Sequence, residues 1–416
     1  MTKRVVVAPV VLALLLAGCS GSGHQKTVTS GDASLLTPYG KPIPTSATGG
    51  ERAVGSTGGG FTASDSAGSA GGAKAAAPGI ASQTGPLRAG SVDDNAHFSD
   101  YLSFLADMKK AGVNGDPLDV SERHVVTVKD SVGKPVLAAT VELLDGDKVV
   151  QSARSHADGR ALLFPKVAGG GDTVRVTLGQ ETVTKPLPDG DLTVQLEQAR
   201  PEGPVKLDLH FLVDTTGSMQ DEIDKLRTSL DTIAKEIDAL PSKPEVRYGL
   251  TVYRDKGDAY VSLTHDFTDL ATFRKELSRT NADGGGDTPE ALDEAFHGAM
   301  NGPSWDSDRA VQLAFLVADA GPHLDDGSQG PSYAKDVLIA QQKGIEVVPL
   351  AASGTDDPAE LVFRELAEYS LGTFFFLTYG EGDTTDRHVT GYQAGSLDEQ
   401  VVGHVTARLK ALAGGQ

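Results

Sequence analysis

The chain has 416 residues, a formal charge of −20, 49 glycines and only 6% aromatic residues. That length accommodates two or more domains at about 100–200 residues each. The acidic balance argues against nucleic acid and anionic lipid as partners, because both need Lys and Arg to neutralise phosphate. Its plain physical meaning is solubility.

Lys3 and Arg4 precede an apolar run, residues 5–16, broken only by Pro9. The run is shorter than the roughly 20 residues a membrane span needs, so residues 1–18 read as a signal peptide. Leu16-Ala17-Gly18-Cys19 follows, and Cys19 is the only cysteine. These four residues resemble the lipobox of bacterial lipoproteins. The resemblance implies cleavage before Cys19, lipidation of its thiol (palmitate or a similar acyl chain) and a membrane-anchored lipoprotein outside the cytoplasm, at a cell surface or in a periplasm. The alternative is an ordinary secretory signal with an incidental cysteine. No other segment is long and apolar enough to span a bilayer.

Residues 19–92 form a low-complexity stretch dominated by Gly, Ser, Ala and Thr. Such composition buries too little surface to offset chain entropy, and it is expected to be a flexible tether. At roughly 5–6 Å times the square root of the residue number, the tether spans about 45–50 Å. In the short segment 93–122, Phe98, Tyr101, Leu102 and Leu105 fall on one helical face, Asp100 lies near its start, Lys109 and Lys110 fall in its last turn, and Gly112 ends it.

Residues 123–200 switch to period two. Strands are expected at 124–128, 139–143, 148–151, 161–164, 174–178 and 192–196, separated by turn sequences such as Asp145-Gly146, Asp158-Gly159 and Asp189-Gly190. Short strands at this spacing predict a small all-β sandwich. Residues 128–136 and 157–161 resemble carboxypeptidase-regulatory-like and related (Ig-like) surface modules, and a spacer role follows.

Residues 205–416 alternate strand and helix. Strands are expected at 207–213, 246–253, 259–264, 311–318, 345–350 and 373–378, and helices at 219–239, 268–278, 289–300, 332–343, 358–369 and 396–412. Near-continuous apolar strands such as residues 311–317 predict a mostly parallel sheet covered on both faces, a doubly wound α/β domain. A hairpin around Lys256-Gly257-Asp258 predicts one antiparallel edge strand. Ligands of such sheets bind at the carboxyl ends of the strands.

Three loops are expected to meet there. Asp214-Thr215-Thr216-Gly217-Ser218 ends an apolar strand, with one carboxylate and two hydroxyls at alternate positions. Gly284-Gly285-Gly286-Asp287-Thr288-Pro289-Glu290 is a glycine loop leading into a helix. Ala318-Asp319-Ala320-Gly321-Pro322 follows a buried strand. Together they resemble the metal-ion-dependent adhesion site of von Willebrand factor type A domains, whose pattern is Asp-x-Ser-x-Ser, then Thr, then Asp. Thr216 replaces the first Ser and keeps the hydroxyl. The resemblance implies a fold of that Rossmann-like type and a Mg²⁺ site (or Mn²⁺ or Ca²⁺). Its donors would be Asp214, Thr216, Ser218, Thr288 and Asp319. An unknown partner protein would supply an acidic side chain. Hard oxygen donors suit such a cation.

The rest of the set stays open. Asp287 is a further ligand or a solvated loop residue. Arg254 and Asp255 rim the ligand surface or form a structural ion pair. His323 approaches the site or is an ordinary loop histidine. Ser218 has an alternative as a helix cap. It lacks a G-x-S-x-G elbow and an identifiable His, so no catalytic residue is assigned and the chain is not expected to be an enzyme. The leading function is cell adhesion or protein–protein interaction through the cation. The rivals are a metal-dependent envelope hydrolase and a structural domain that the metal only stabilises.

Overall fold

The computed structural model describes residues 87–113, 115, 117–286, 288–324, 330–352, 354–379 and 395–414. The expected signal peptide, Cys19 and residues 19–86 of the expected tether lie outside them.

In chain order, β1 (Leu87–Val92) leads to helix α1 (Phe98–Ala111) and a 3₁₀ turn (Val120–Glu122). Then come β2 (His124–Lys129), β3 (Thr140–Asp145), β4 (Lys148–Arg154), β5 (Arg160–Leu163), α2 (Pro165–Ala168), β6 (Thr173–Leu178), β7 (Glu181–Pro186) and β8 (Leu192–Gln195). The remainder is β9 (Lys206–Asp214), α3 (Gln220–Asp238), β10 (Glu245–Tyr253), β11 (Ser262–Thr268), α4 (Leu270–Arg279), α5 (Leu292–Asn301) and β12 (Ala310–Ala318). It closes with α6 (Tyr333–Lys343), β13 (Ile345–Ala351), α7 (Asp357–Tyr369), β14 (Phe374–Tyr379), β15 (Gly395–Ser396) and α8 (Leu397–Ala413).

The main sheet runs β11-β10-β9-β12-β13-β14-β1-β15. Its strands from β10 to β14 pair in parallel. Period-two alternation sends Leu207, Leu209, Phe211 and Val213 of β9 to one face, where they meet Ile223, Leu226, Leu230, Ile233 and Ile237 of α3. Those α3 residues recur every three or four positions, which puts them on one stripe. Each such side chain contributes about 1.5–3 kcal/mol when buried. On the opposite face Leu212 packs with residues of α1, α5, α6 and α7. The mostly parallel, two-face-covered α/β sheet expected from the apolar strands is therefore present.

Three details depart from expectation. The edge strand β11 covers Ser262–Thr268 rather than 259–264, because Tyr260 is turned inward to Thr215, with hydroxyls 2.7 Å apart. Helix α5 starts at Leu292, after a cis Thr288-Pro289 peptide, rather than at Pro289. Residues 87–92, assigned to the tether, are a strand of the main sheet, antiparallel to both β14 and β15. Leu-Arg-Ala-Gly-Ser-Val shows no apolar alternation, so its pairing comes from the apolar strand β14 and not from its own sequence.

Helix α1 likewise joins the α/β core. Tyr101, Phe104 and Met108 form its buried face, while Leu102, expected on that face, is 40% exposed. Gly112 ends the helix in the left-handed region, at φ 80°, and donates to the Lys109 carbonyl. Arg364 of α7 lies 3.6 Å from the Phe104 ring centroid and forms two hydrogen bonds to Asp94, at 2.8 and 2.6 Å. The α/β unit thus includes residues on both sides of the β-rich segment.

That segment is two sheets, β5-β2-β8 and β4-β3-β6-β7. Between them lie Val126, Val128, Val141, Leu143, Leu163, Val174, Val176 and Val194. The sequence does not reveal β7, whose only large apolar residue is Val183; it is held by pairing with β6.

Candidate metal centre

Register brings the site together. Tyr253 of β10 pairs with Asp214 of β9, and Val317 of β12 pairs with Val213. The carboxyl ends of three adjacent strands therefore align, as expected for a ligand edge.

Asp214 is fully buried. Its Oδ1 accepts hydrogen bonds from the Thr216 backbone N–H (2.9 Å) and hydroxyl (2.8 Å). Thr215 turns the other way, donating its N–H to the Tyr253 carbonyl at 2.8 Å and its hydroxyl to the same oxygen at 2.6 Å. The alternation leaves Thr216 and the exposed Ser218 on the same side, their hydroxyl oxygens 3.4 Å apart. Ser218 does not cap α3, whose N-cap position is Met219 and has no side-chain cap bond.

The glycine loop is stitched to this turn by Gly217 N–H to Gly284 carbonyl (3.1 Å) and Asp283 N–H to Thr215 carbonyl (3.0 Å). Gly284 has φ 77°, and a Cβ there would lie 2.5 Å from an Asp258 carboxylate oxygen. Asp258 accepts from the Gly285 N–H at 2.9 Å. Thr288 is exposed on this loop, and among the described residues its hydroxyl bonds none of the other four expected ligands. Asp287 lies outside the described residues.

Asp319 follows β12 and is half-buried. A hydrogen bond from Ser218 draws its carboxyl down, against a larger upward push from burial, and the net shift is upward. Glu290 donates its backbone N–H to the Gly321 carbonyl (3.0 Å), and Glu290 bridges Pro322, so the second and third loops are joined. The structure therefore connects Asp214, Thr216 and Ser218 by side-chain contacts, places Asp319 within electrostatic reach of Asp214 and Ser218, and reaches Thr288 only through its loop.

Arg254 and Asp255 separate in role. Arg254 is buried, donates to the Asn281 carbonyl at 3.0 Å, lies 3.6 Å from Asp283 and sits over the Tyr260 ring. It braces the glycine loop from behind. Asp255 pairs with His323 at 2.6 Å, linking the β10–β11 turn to the third loop.

The electrostatics are unusual for a turn. Asp214 Oδ2 and the neighbouring Tyr253 hydroxyl are both buried, and neither has a hydrogen bond of good geometry. Burial first, then the charge of Asp319, push the Asp214 carboxyl up to about 7. Burial and then Asp214, Asp255, Asp319 and Asp258 push Glu290 up to about 8. Buried carboxylates without a counter-charge are destabilising. An all-oxygen set of two hydroxyls and two carboxylates, with a buried oxygen left without a hydrogen bond of good geometry, fits a hard dication that also keeps water ligands. Among the described residues no three His, Cys, Asp or Glu side chains group to hold a metal, so the hydroxyls are essential to that fit. Sequence reasoning missed Glu290 and Asp258. Glu290 directly follows Thr288-Pro289, but nothing local in the sequence distinguishes it from a solvated helix-start carboxylate.

Residues 208–382 match the family profile described as von Willebrand factor type A domain. Mouse Hemicentin-1 is 28% identical over 197 residues, 45% of this chain and 3% of that protein. Human Hemicentin-1 is 28% identical over 177 residues, 41% of this chain and 3% of that protein. The chain thus spans a small fraction of these relatives' length. Among solved structures, the pilus adhesin SpaC from Lactobacillus rhamnosus GG, in its open conformation, matches with a TM-score of 0.34 and 10% identity, over 59% of this chain and 34% of that chain. Residues 208–382 thus correspond to a von Willebrand factor type A domain within this chain.

Proposed function

We propose that this von Willebrand factor type A domain binds a divalent cation, Mg²⁺ or alternatively Mn²⁺ or Ca²⁺, and uses it to capture an acidic side chain of a partner protein. Asp214, Thr216, Ser218, Thr288 and Asp319 would hold the cation. When bound, it supplies a positive centre for the partner's carboxylate, a charge-assisted contact strengthened by partial desolvation. The observation that carries this reading is the buried Asp214 carboxylate, which has only the Thr216 groups and the neighbouring Tyr253 hydroxyl to set against its charge, together with the Thr216 and Ser218 hydroxyls and Asp319.

The chain's own groups have distinct tasks. Asp214 orients Thr216 through two hydrogen bonds. Ser218 faces Asp319 closely enough to lower its carboxyl against the push of burial. Arg254 and Asp258 fix the glycine loop from its far side. His323 bonds Asp255 rather than Ser218, which favours a binding module over a hydrolase. Lipidation at Cys19, with residues 20–86 as tether, would display the site outside the cytoplasm.

Immobilised chain is exposed to native envelope extract in Mg²⁺ and eluted with EDTA. A partner that binds wild type, elutes with EDTA and is not retained by Asp214→Ala supports the proposal. Retention undiminished by both EDTA and Asp214→Ala contradicts it.

A further inference from the structure

We propose that the junction between the β-rich segment and the α/β unit is an acid-sensitive latch, in which protonation of His156 weakens the seating of one on the other. The inference stands independently of the cation reading.

The turn between β4 and β5 is the plug of this latch. Its Ala157 is 2% exposed and belongs to the core that holds Val348 of β13 and Leu409 of α8. Leu162 of β5 and Phe164 belong to the core on the other face of the main sheet, with Tyr369 of α7. His156 is 7% exposed and lines a small gap with Gln341 of α6, Tyr369 and Leu371. Phe164 donates its N–H to Gln151 at 2.7 Å, and Gln151 donates across the junction to Gln341 at 3.1 Å. Arg200, in the connection between the two parts, donates to the carbonyls of Pro135 on one side and Leu412 on the other.

The charges that face His156 are balanced without it. On β13, Glu346 accepts from Arg408 of α8 at 2.8 and 2.9 Å, and its Oε1 lies 2.7 Å from His404 Nε2. In the turn itself, Asp158 pairs with Arg160 at 2.6 Å. Arg154, at the end of β4 and on the same gap, pairs with Asp308 at 2.7 Å, and Asp93 acts on Arg408. Glu346 and Asp158, the two carboxylates that favour a charged His156, are thus committed to other cations, and Arg408 and Arg160 oppose it. Burial is the largest effect and holds the ring's pKa below the ordinary histidine value. Release of the turn returns the ring to water and to that value. The released state therefore takes up the proton first as pH falls below about 6.5, and the seating weakens.

The test is amide hydrogen exchange of the intact purified chain, corrected for the intrinsic rate at each pH, with an NMR titration of the His156 ring. Opening is read as protection of the Phe164 amide relative to that of Val176, inside the β-rich segment. In the wild type this ratio should fall about tenfold between pH 7.5 and 5.5, the linkage expected of one proton. His156→Gln, which cannot charge, should keep the ratio level. His156→Lys should lower it already at pH 7.5. The wild-type ring should titrate below 6.5. A level ratio in the wild type, or an equal fall in folded His156→Gln, overturns the inference. If His156→Gln does not fold, the wild type decides: a ring titrating at about 6.5 with Phe164 protection unchanged overturns it as well.

Discussion

Gly217 donates its backbone N–H to the carbonyl of Gly284 across 3.1 Å, and this bond holds the Asp214 turn against the glycine loop. Gly284 itself has φ 77° with the Asp258 carboxylate directly behind it. Gly284→Ala therefore meets both backbone strain and a collision. A loss of about 1–3 kcal/mol in chemical denaturation is expected. Mg²⁺ affinity should fall with it, because the loop carrying Thr288 shifts. Unchanged stability and affinity would show that the loop is not fixed as described.

A second prediction concerns the junction between β1 and α7. Arg364 and Asp94 are both almost fully buried and form a two-bond pair. Arg123 adds a nearby contact to Glu368 and donates to Asn95 at 3.0 Å. Arg364 also lies 3.5 Å from the buried Glu360, so Asp94→Ala leaves the guanidinium one weaker partner and should cost about 3 kcal/mol, the low end for breaking a buried pair. Arg364→Met, which removes the cation beside both Asp94 and Glu360, should cost more than Asp94→Ala. Urea unfolding of the three proteins checks the order.

His210 gives the stability a pH dependence. It is fully buried on β9, its Nε2 is 2.9 Å from the Thr251 hydroxyl, and its Nδ1 is unpartnered. Burial pushes its pKa down to about 3. An unfolded histidine titrates near 6.5, so between about 6.5 and 3 the unfolded state binds the extra proton. Its contribution is complete above pH 6.5 and is lost as pH falls through that window. At pH 5 the loss is about 2 kcal/mol. His210→Gln should flatten the difference in unfolding free energy between pH 7 and pH 5 by that amount, whatever its effect at pH 7.

Cation linkage predicts a further effect. Mg²⁺ at about a hundred times its dissociation constant should stabilise the fold by about 2.7 kcal/mol. EDTA should lower the melting temperature of the wild type and leave that of Asp214→Ala unmoved. Equal responses of the two proteins would place any bound Mg²⁺ elsewhere.

The legibility of this chain follows from where its information is local. The apolar run Leu207–Val213 with its following Asp, and the three-or-four spacing of Ile223, Leu226, Leu230, Ile233 and Ile237, are carried within single elements, and both were readable. β1 was not, because its strand character comes from β14, almost three hundred residues later in the chain. Helix α1 was readable as a helix, but its buried face was not, since it takes in Phe104, under the Arg364 guanidinium, and leaves Leu102 exposed. At the candidate site, Asp214, Thr216 and Ser218 could be singled out in advance because a repeated spacing within one turn carries them. Glu290 was not, because its burial is produced by Gly285, Gly321 and Pro322 converging from two loops. Arg254, left open between rim and brace, is a brace because Asn281, Asp283 and Tyr260 surround it.

The most direct measurement is the calorimetric titration of Mg²⁺ into wild type, Asp214→Ala and Ser218→Ala, with folding of each verified by its melting transition. One saturable site in the wild type, lost in Asp214→Ala and weakened in Ser218→Ala, is the predicted result. Equal Mg²⁺ binding by all three folded proteins, or none by the wild type, would contradict the assignment of a cation to the strand ends of this domain.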